Sequence, residues 1–348
     1  MTTTMTRSMT APRSDEHFFR PDHDSEPVFI VGMGRSGTTM LRLMLHRHPD
    51  LAVLSETSFG ALVWERRWGF PMVDPIEPYQ TRLLNSFVRR LHSEDMEDLQ
   101  IDWGEYRRKV LAGPNSLNRF LRILGEMWAQ ELGKTRWAEK TPTHVHYLPV
   151  FRKMWPKMTA INAVRDPRAV AASWIKTGFS RVSDPVAVAV EWRRSVRAAE
   201  TAASGGAAVL TVRYEDLVEQ PEAVLRKVCA HSSLDYEDQL LEFHEAADES
   251  APHLQWMQNL NQPLSTGNVD KWKEQLSTEE IFYIEVVAGS ALEEYGYEAV
   301  SDAAELQRVR AQAGRLERAY SQSVRADMRP LREMVSVDVD AYRGLLEE

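Results

Sequence analysis

The most constraining feature of this chain is a glycine-rich loop between a buried-type strand and a helix. The strand is the apolar run Pro27-Val-Phe-Ile-Val31, which leads directly into Gly32-Met-Gly-Arg-Ser-Gly-Thr-Thr39. The helix follows at Met40-Leu-Arg-Leu-Met-Leu45 and ends before His48 and Pro49. A strand, a glycine loop and a helix in this order predict the start of a phosphate-binding α/β domain.

The loop carries the groups that bind a phosphate. Its three glycines permit tight backbone conformations, so that successive N–H groups can converge on phosphate oxygens. The start of the following helix adds a partial positive charge, Thr38 and Thr39 add hydroxyl donors, and Arg35 adds a charged donor. We therefore expect Gly34, Arg35, Ser36, Gly37, Thr38 and Thr39 to bind the phosphate end of a nucleotide.

The same loop departs from the pattern of nucleoside triphosphatases. Four residues separate Gly32 from Gly37, as in the Walker motif, but Thr38 stands where that motif has its lysine. Kinases and ATPases of this class use that lysine at the β- and γ-phosphates. The loop thus indicates phosphate binding without ordinary ATP chemistry.

Further strands and helices alternate along the chain. Met158–Val164 and Ala207–Val212 are predicted to be strands, and long helical patterns cover Asn118–Leu132 and Val186–Ala203. This alternation predicts an α/β fold with a mostly parallel central sheet and helices on both faces. Together with the glycine loop, it predicts a P-loop-containing nucleotide-binding fold with an added C-terminal helix.

We divide the chain into three parts. Residues 1–26 are a polar, flexible N-terminal segment, residues 27–300 the main domain, and residues 301–348 a C-terminal helical extension. The extension either docks on the domain or mediates homo-oligomer formation. Within the domain, residues 59–111 form either a helical cap over an acceptor pocket or part of the core; their aromatic residues include Trp64, Trp68, Phe70, Tyr79 and Trp103.

Charge and hydropathy exclude several classes of protein. With 42 Lys and Arg against 51 Asp and Glu, the net charge of −9 argues against a nucleic-acid partner. The chain lacks an apolar run long enough for a membrane span and lacks the apolar stretch of a secretory signal, which predicts a cytoplasmic protein. The single cysteine, Cys229, excludes an internal disulfide, and we expect no metal site.

Two motifs carry a resemblance to a known family. The loop at residues 32–39 resembles the loop that binds the 5′-phosphosulfate in sulfotransferases that use 3′-phosphoadenosine 5′-phosphosulfate (PAPS). Arg165-Asp-Pro-Arg-Ala-Val-Ala-Ala-Ser173 resembles their second signature, in which an arginine and a serine hold the 3′-phosphate. Further blocks fit at Glu139-Lys-Thr-Pro142, Val212–Val218 and Val269–Lys273, so the resemblance spans residues 27–297.

The resemblance implies site residues and a cosubstrate. PAPS is the expected sulfuryl donor, bound by the loop together with Arg165, Ser173, Tyr214 and Lys271; the alternative for Arg165 is an ion pair with Asp166 or Glu215. Arg35 and Lys140 are expected to stabilise the leaving group. The role of Arg168 stays open, and a plain surface cation is one interpretation. The alternative for Tyr214 is packing in the core.

The catalytic base has several candidates. Glu56, soon after the first helix, resembles the glutamate base of the branch that includes tyrosylprotein sulfotransferases and bacterial relatives with an Arg-Ser-Gly-Thr-Thr loop. Other branches use a histidine near the Lys-Thr motif, and His144 and His146 are the nearest here. The matching position itself holds Pro142, so Glu56 is the preferred candidate while the histidines stay open. The alternative for Glu56 is a glutamate that caps a helix or forms a salt bridge.

The expected function is therefore sulfuryl transfer from PAPS to a hydroxyl or amine. A small-molecule or carbohydrate acceptor is expected because the cap aromatics suit such a compound and no secretory signal is seen. The alternatives are a P-loop kinase or nucleotide hydrolase, and a nucleotide-binding scaffold without catalysis. The missing Walker lysine opposes the first, and the presence of Glu56, Lys140 and Arg165 opposes the second.

Overall fold

The computed structural model describes residues 20–60, 84–89, 91, 99–113, 116–177, 184–245 and 264–309. Three sequence predictions fall wholly or largely outside these residues. They are the N-terminal segment up to residue 19, the cap aromatics Trp64, Trp68, Phe70 and Tyr79, and the C-terminal extension from residue 310. The predicted phosphate site lies within the described residues.

A parallel five-stranded sheet forms the centre of the domain. Its strands are β1 (Val28–Gly32), β2 (Leu51–Leu54), β3 (Arg136–Lys140), β4 (Thr159–Val164) and β5 (Ala208–Arg213). Their spatial order is β2-β3-β1-β4-β5, and the register sets Ile30 beside both Lys140 and Ile161. The predicted parallel sheet is confirmed, and the strand ends agree with the predicted ones to within a residue.

Helices connect the strands. In chain order they are α1 (Thr38–His46), α2 (Trp103–Leu111), α3 (Asn118–Glu131), α4 (Leu148–Met154), α5 (Pro167–Thr177), α6 (Pro185–Ser204), α7 (Tyr214–Glu219), α8 (Pro221–His231), α9 (Trp272–Gln275), α10 (Thr278–Ala288) and α11 (Ser290–Glu294). Short 3₁₀ helices cover Pro142–Tyr147, Asp238–Glu245 and Thr266–Asn268.

Local signals in the sequence account for several helix starts. The Asp184 carboxylate accepts hydrogen bonds from the first N–H groups of α6, and proline occupies the first turn of α6 and α8. Ser277 and Glu280 form a reciprocal capping box at the start of α10. These caps satisfy N–H groups that have no partner within the helix.

Successive side chains of each strand point to opposite faces of the sheet, and apolar side chains are buried on both faces. On one face, Phe29 and Val31 belong to an aromatic cluster with Phe151 and Trp155. On the other face, Val28 and Ile30 pack against α1 and α8. Helices on both faces are thus confirmed. Cys229 is buried in the second cluster, and burial raises the pKa of its thiol to about 11.

The chain beyond α11 remains packed on the domain as far as it is described. Leu306 is buried beside Val286 of α10, and the Glu285 carboxylate accepts hydrogen bonds from the N–H groups of Val300 and Ser301. The first turn of the predicted C-terminal extension therefore docks. Among the helices in the described part of the chain, none is long and apolar enough to cross a membrane.

Candidate functional site

The predicted site residues meet at one edge of the sheet. Because all five strands are parallel, their carboxyl ends share an edge, and in α/β proteins ligands bind there. β1 leads into the glycine loop, Lys140 ends β3, and Glu56 follows β2 by two residues. Arg165 and Tyr214 come directly after β4 and β5.

The glycine loop is held in a conformation that only some residues adopt. Gly37 caps α1 with φ 91°, and a Cβ built there would lie 2.8 Å from Cδ2 of Tyr214. Arg35 has φ 71° although it is not a glycine, a strained conformation of the kind that concentrates at functional sites. The Ser36 hydroxyl is buried and has no hydrogen-bond partner in the described part of the chain.

The loop arginine lies against both ends of the second motif. Arg35 Nε donates to Ser173 Oγ at 3.1 Å, and Arg165 Nη1 donates to the Arg35 carbonyl at 3.3 Å. Burial and the neighbouring Arg165 lower the pKa of the Arg35 guanidinium. Two motifs that lie far apart in sequence are therefore joined through three of the predicted residues.

A second layer of contacts surrounds Arg165. Its guanidinium lies 4.4 Å from the centre of the Tyr214 ring, and its Nη2 donates to the Asn268 carbonyl at 2.8 Å. Lys271 Nζ donates to Asn268 Oδ1 at 2.6 Å. Lys271 therefore reaches the same loop as Arg165, while Asn268 was not predicted because its role depends on its backbone carbonyl.

The carboxylates beside Arg165 are engaged elsewhere. Asp166 pairs with Arg168 at 2.7 Å, and Glu215 accepts hydrogen bonds from the Asp166 N–H and the Tyr297 hydroxyl. Arg168 is 3% exposed and also pairs with Glu285. The surface-cation reading of Arg168 is therefore wrong: it is a buried structural group, whereas Arg165 binds backbone carbonyls.

Glu56 and Lys140 form a direct ion pair. Lys140 Nζ lies 2.6 Å from Glu56 Oε1, with 4% of the lysine side chain and 41% of the glutamate side chain exposed. Burial lowers the pKa of Lys140, and the charge of Glu56 partly opposes this shift. The arrangement sets an accessible carboxylate, a group able to accept a proton, beside a buried cation, a group able to stabilise negative charge.

Sequence reasoning missed one cation in this region, Arg42. It lies one turn after Thr38 in α1, is 8% exposed, and its Nε has no hydrogen-bond partner among the described residues. Burial lowers its pKa to about 10, and the charge of Glu56 partly opposes this. An arginine within the apolar run Met40–Leu45 was the available signal, since a buried charge needs a partner or a ligand.

The two candidate histidines differ from Glu56. His144 is buried, with Nδ1 lying 2.8 Å from Glu139 Oε2 and Nε2 accepting the Gly60 N–H at 2.9 Å. Both of its ring nitrogens are thus engaged within the protein. His146 is exposed on the same 3₁₀ helix. Among the described residues, no group of His, Cys, Asp and Glu could hold a metal ion.

Two curated relatives are identical to this chain at about a quarter of the aligned positions. The nodulation protein NoeE of Sinorhizobium fredii is 25% identical over 301 residues, 78% of this chain and 65% of that protein. Protein-tyrosine sulfotransferase A of Caenorhabditis elegans is 24% identical over 240 residues, 67% of this chain and 56% of that protein. The chain thus spans less than two thirds of the length of either relative.

Solved structures support the fold, and a family model covers the part of the chain that contains both nucleotide motifs. The sulfotransferase domain of the Synechococcus PCC 7002 olefin synthase has a TM-score of 0.52 at 21% identity, covering 78% of this chain and 98% of that domain. The sulfotransferase domain of the curacin biosynthetic pathway has a TM-score of 0.53 at 18% identity, covering 80% and 99%. The sulfotransferase family model matches residues 27–238. This chain belongs to the sulfotransferase family.

Proposed function

We propose that this protein transfers the sulfuryl group of PAPS to a hydroxyl or amine of a small-molecule or carbohydrate acceptor. The products are the sulfated acceptor and 3′-phosphoadenosine 5′-phosphate (PAP). The observation that carries the proposal is that Arg35, Arg165 and Ser173 join the two nucleotide motifs. They do so at the edge of the sheet where the Glu56–Lys140 pair also lies.

The side chains at the sheet edge fit a nucleotide that carries two anionic groups. Arg35, Arg165 and Lys271 supply positive charge, while the Ser36 hydroxyl and Arg165 Nε are buried without a hydrogen-bond partner in the described residues. Buried polar atoms of this kind are normally satisfied, so a ligand oxygen is a natural partner. We assign Gly34–Thr39 to the 5′-phosphosulfate and Arg165 with Ser173 to the 3′-phosphate, with Tyr214 and Lys271 beside the nucleotide.

The chemistry divides between the two members of the ion pair. Bound PAPS supplies the activated sulfuryl group, whose bridging S–O bond breaks as the acceptor oxygen bonds to sulfur. Glu56 accepts the proton of the acceptor hydroxyl. Lys140 and Arg35 hold positive charge beside the oxygen that keeps the electron pair of the broken bond.

The acceptor is proposed on the sequence features alone. Of the aromatic residues in the predicted cap, Trp64, Trp68, Phe70 and Tyr79 are the ones proposed to contact a phenolic or sugar-bearing acceptor. Trp103 packs against the hydrophobic core, as the alternative prediction for this segment has it. Protein-tyrosine sulfotransferase A is among the relatives, so a tyrosine peptide is the rival acceptor and belongs in the same screen.

The test is transfer of ³⁵S from labelled PAPS to phenols, saccharides and a tyrosine peptide. We expect transfer to a phenol or saccharide, and a fall in kcat of about 100- to 10,000-fold in Glu56→Gln because a general base is lost. Lys140→Ala should lower kcat by about 100- to 1,000-fold. Glu222→Gln, on the exposed surface of α8, is the matched control.

Three outcomes would contradict the proposal. Transfer to the tyrosine peptide alone would overturn the acceptor class. An unchanged kcat in Glu56→Gln or Lys140→Ala would remove that residue from the mechanism. Phosphoryl transfer from ATP with no sulfuryl transfer from PAPS would replace the function by that of a kinase.

A further inference from the structure

A buried hydrogen-bond network lies directly behind the two reacting side chains. The Glu139 carboxylate is 0% exposed. Its Oε1 accepts hydrogen bonds from the Thr57 N–H at 3.1 Å, from the Thr57 hydroxyl at 2.8 Å and from the Thr141 hydroxyl. Its Oε2 lies 2.8 Å from Nδ1 of His144. Both oxygens of the carboxylate therefore have partners, which come from the segment after β2 and from the segment after β3.

The network holds the immediate neighbours of both reacting residues. Glu139 precedes Lys140 at the end of β3, and Thr57 follows Glu56 after β2. The strand register pairs Leu54 with Glu139, but strand pairing ends there, before Glu56. The Glu139–Thr57 bonds thus continue the connection between the two chain segments past the last residue pair of the sheet.

The donors and acceptors fit in only one arrangement. His144 Nε2 accepts the Gly60 N–H at 2.9 Å, so this nitrogen carries no proton. Nδ1 must then carry the proton and donate it to Glu139. Burial would raise the pKa of Glu139, but the hydrogen bonds from His144, Thr141 and Thr57 lower it below its ordinary value. An ionised Glu139 and a neutral, Nδ1-protonated His144 satisfy every contact.

The far end of the network reaches the start of the predicted cap. A Cβ on Gly60 would lie 2.6 Å from the Tyr147 ring and 2.9 Å from the His144 ring. The backbone at residue 60 therefore lies flat on these two side chains, and residues 59–111 begin there. One chain of contacts runs from Lys140 and Glu56 through Glu139 and His144 to this segment.

We propose that Glu139 and His144 are positioning residues that hold Glu56 beside Lys140. This role rests on the proposed function of Glu56 and Lys140. Neither residue touches a reacting atom: both ring nitrogens of His144 and both oxygens of Glu139 are occupied within the protein. Their effect is on the separation of the base and the cation, to which turnover is sensitive.

The mildest test changes Thr57. Thr57→Val removes the hydroxyl that donates to Glu139 and keeps the shape and the N–H, whereas Thr57→Ser keeps the hydroxyl. We expect kcat to fall about tenfold in Thr57→Val and to be restored in Thr57→Ser, with the KM for PAPS and the affinity for PAP unchanged. In Glu139→Gln the amide N–H₂ faces another hydrogen-bond donor, and we expect kcat to fall about 100-fold.

A second readout does not depend on activity. The charge of Glu56 raises the pKa of Lys140 while burial and Arg42 lower it. If Thr57→Val loosens Glu56, the pKa of Lys140 should fall further, as measured by ¹³C NMR titration of the labelled lysine side chain. Thr57→Ser and the exposed control Glu222→Gln should both titrate like the unchanged protein.

The outcomes separate the two proposals. A shifted Lys140 titration in Thr57→Val, restored in Thr57→Ser, supports the positioning role even if the protein transfers no sulfuryl group, in which case the proposed function alone fails. An unchanged titration and an unchanged kcat in Thr57→Val, with only the midpoint of thermal unfolding lowered, would reduce the network to a structural one and overturn the inference.

Discussion

Lys140 and Glu56 are 84 positions apart in the chain and 2.6 Å apart in the structure. Each was predicted from its own motif, because residue type and local spacing carry that information. Their pairing was not predicted, since it depends on β2 and β3 being adjacent in the sheet. The same limit applies to Arg42 and to the Glu139–His144 network, whose roles appear only when burial is known.

The buried Lys140 predicts a pH dependence. Burial lowers its pKa below the ordinary value of about 10.4, and the lysine must be charged to stabilise a leaving oxygen. We therefore expect kcat to fall on the alkaline side at a pH below that ordinary value. In Lys140→Arg the fall should move to higher pH because a guanidinium stays charged, although kcat at neutral pH should drop about tenfold through altered geometry.

The control for this prediction is Lys227→Arg on the exposed surface of α8. Its alkaline limb should match that of the unchanged protein. An alkaline limb that stays in place in Lys140→Arg would show that another group governs the loss of activity.

At the scale of elements, the turn between α1 and β2 sets the position of Glu56. His46 ends α1, and its Nδ1 accepts the Val53 N–H at 3.1 Å. Lys134 Nζ donates to the Leu51 carbonyl at 3.2 Å and also to the His46 carbonyl. The sequence predicted the helix and its His-Pro stop, but not this bridging, which ties the strand that precedes the base to the helix that follows the loop.

This turn predicts an acid sensitivity of folding. Burial, followed by the charges of Lys134, Arg42 and Arg47, lowers the pKa of His46 to about 3. The unfolded chain binds a proton at this histidine near pH 6.5, whereas the folded chain does not. The contribution to stability is therefore complete above about pH 6.5 and is lost as the pH falls towards 3.

The loss should reach up to about 2 kcal/mol in the free energy of unfolding between pH 7 and pH 5. His46→Asn keeps an acceptor for the Val53 N–H and removes the titration, so urea unfolding at the two pH values should show a smaller difference in the variant. An equal difference in both proteins would assign the acid sensitivity to other groups.

For the whole molecule, the sheet, the helices on both faces and the edge that carries the site were predictable from alternating strand and helix patterns. The side-chain contacts between elements that lie far apart in the sequence were not predictable. Arg168 joins α5 to α10 through Glu285 and lies 4.1 Å from the centre of the Trp272 ring, although Arg165 in the same motif binds the loop. Arg165 and Arg168 are three residues apart. Their roles differ because Arg168 faces the core, whereas Arg165 faces the edge of the sheet.

The central claim is that this edge binds a 3′-phosphorylated adenosine nucleotide, and thermal unfolding of the purified protein with PAP, ATP or AMP tests it most directly. PAP at about a hundredfold over its dissociation constant should add about 2.7 kcal/mol to the free energy of unfolding. This gain should vanish in Arg165→Ala and persist in the exposed control Arg226→Ala. Stabilisation by ATP alone, or a gain from PAP that survives Arg165→Ala, would contradict the account.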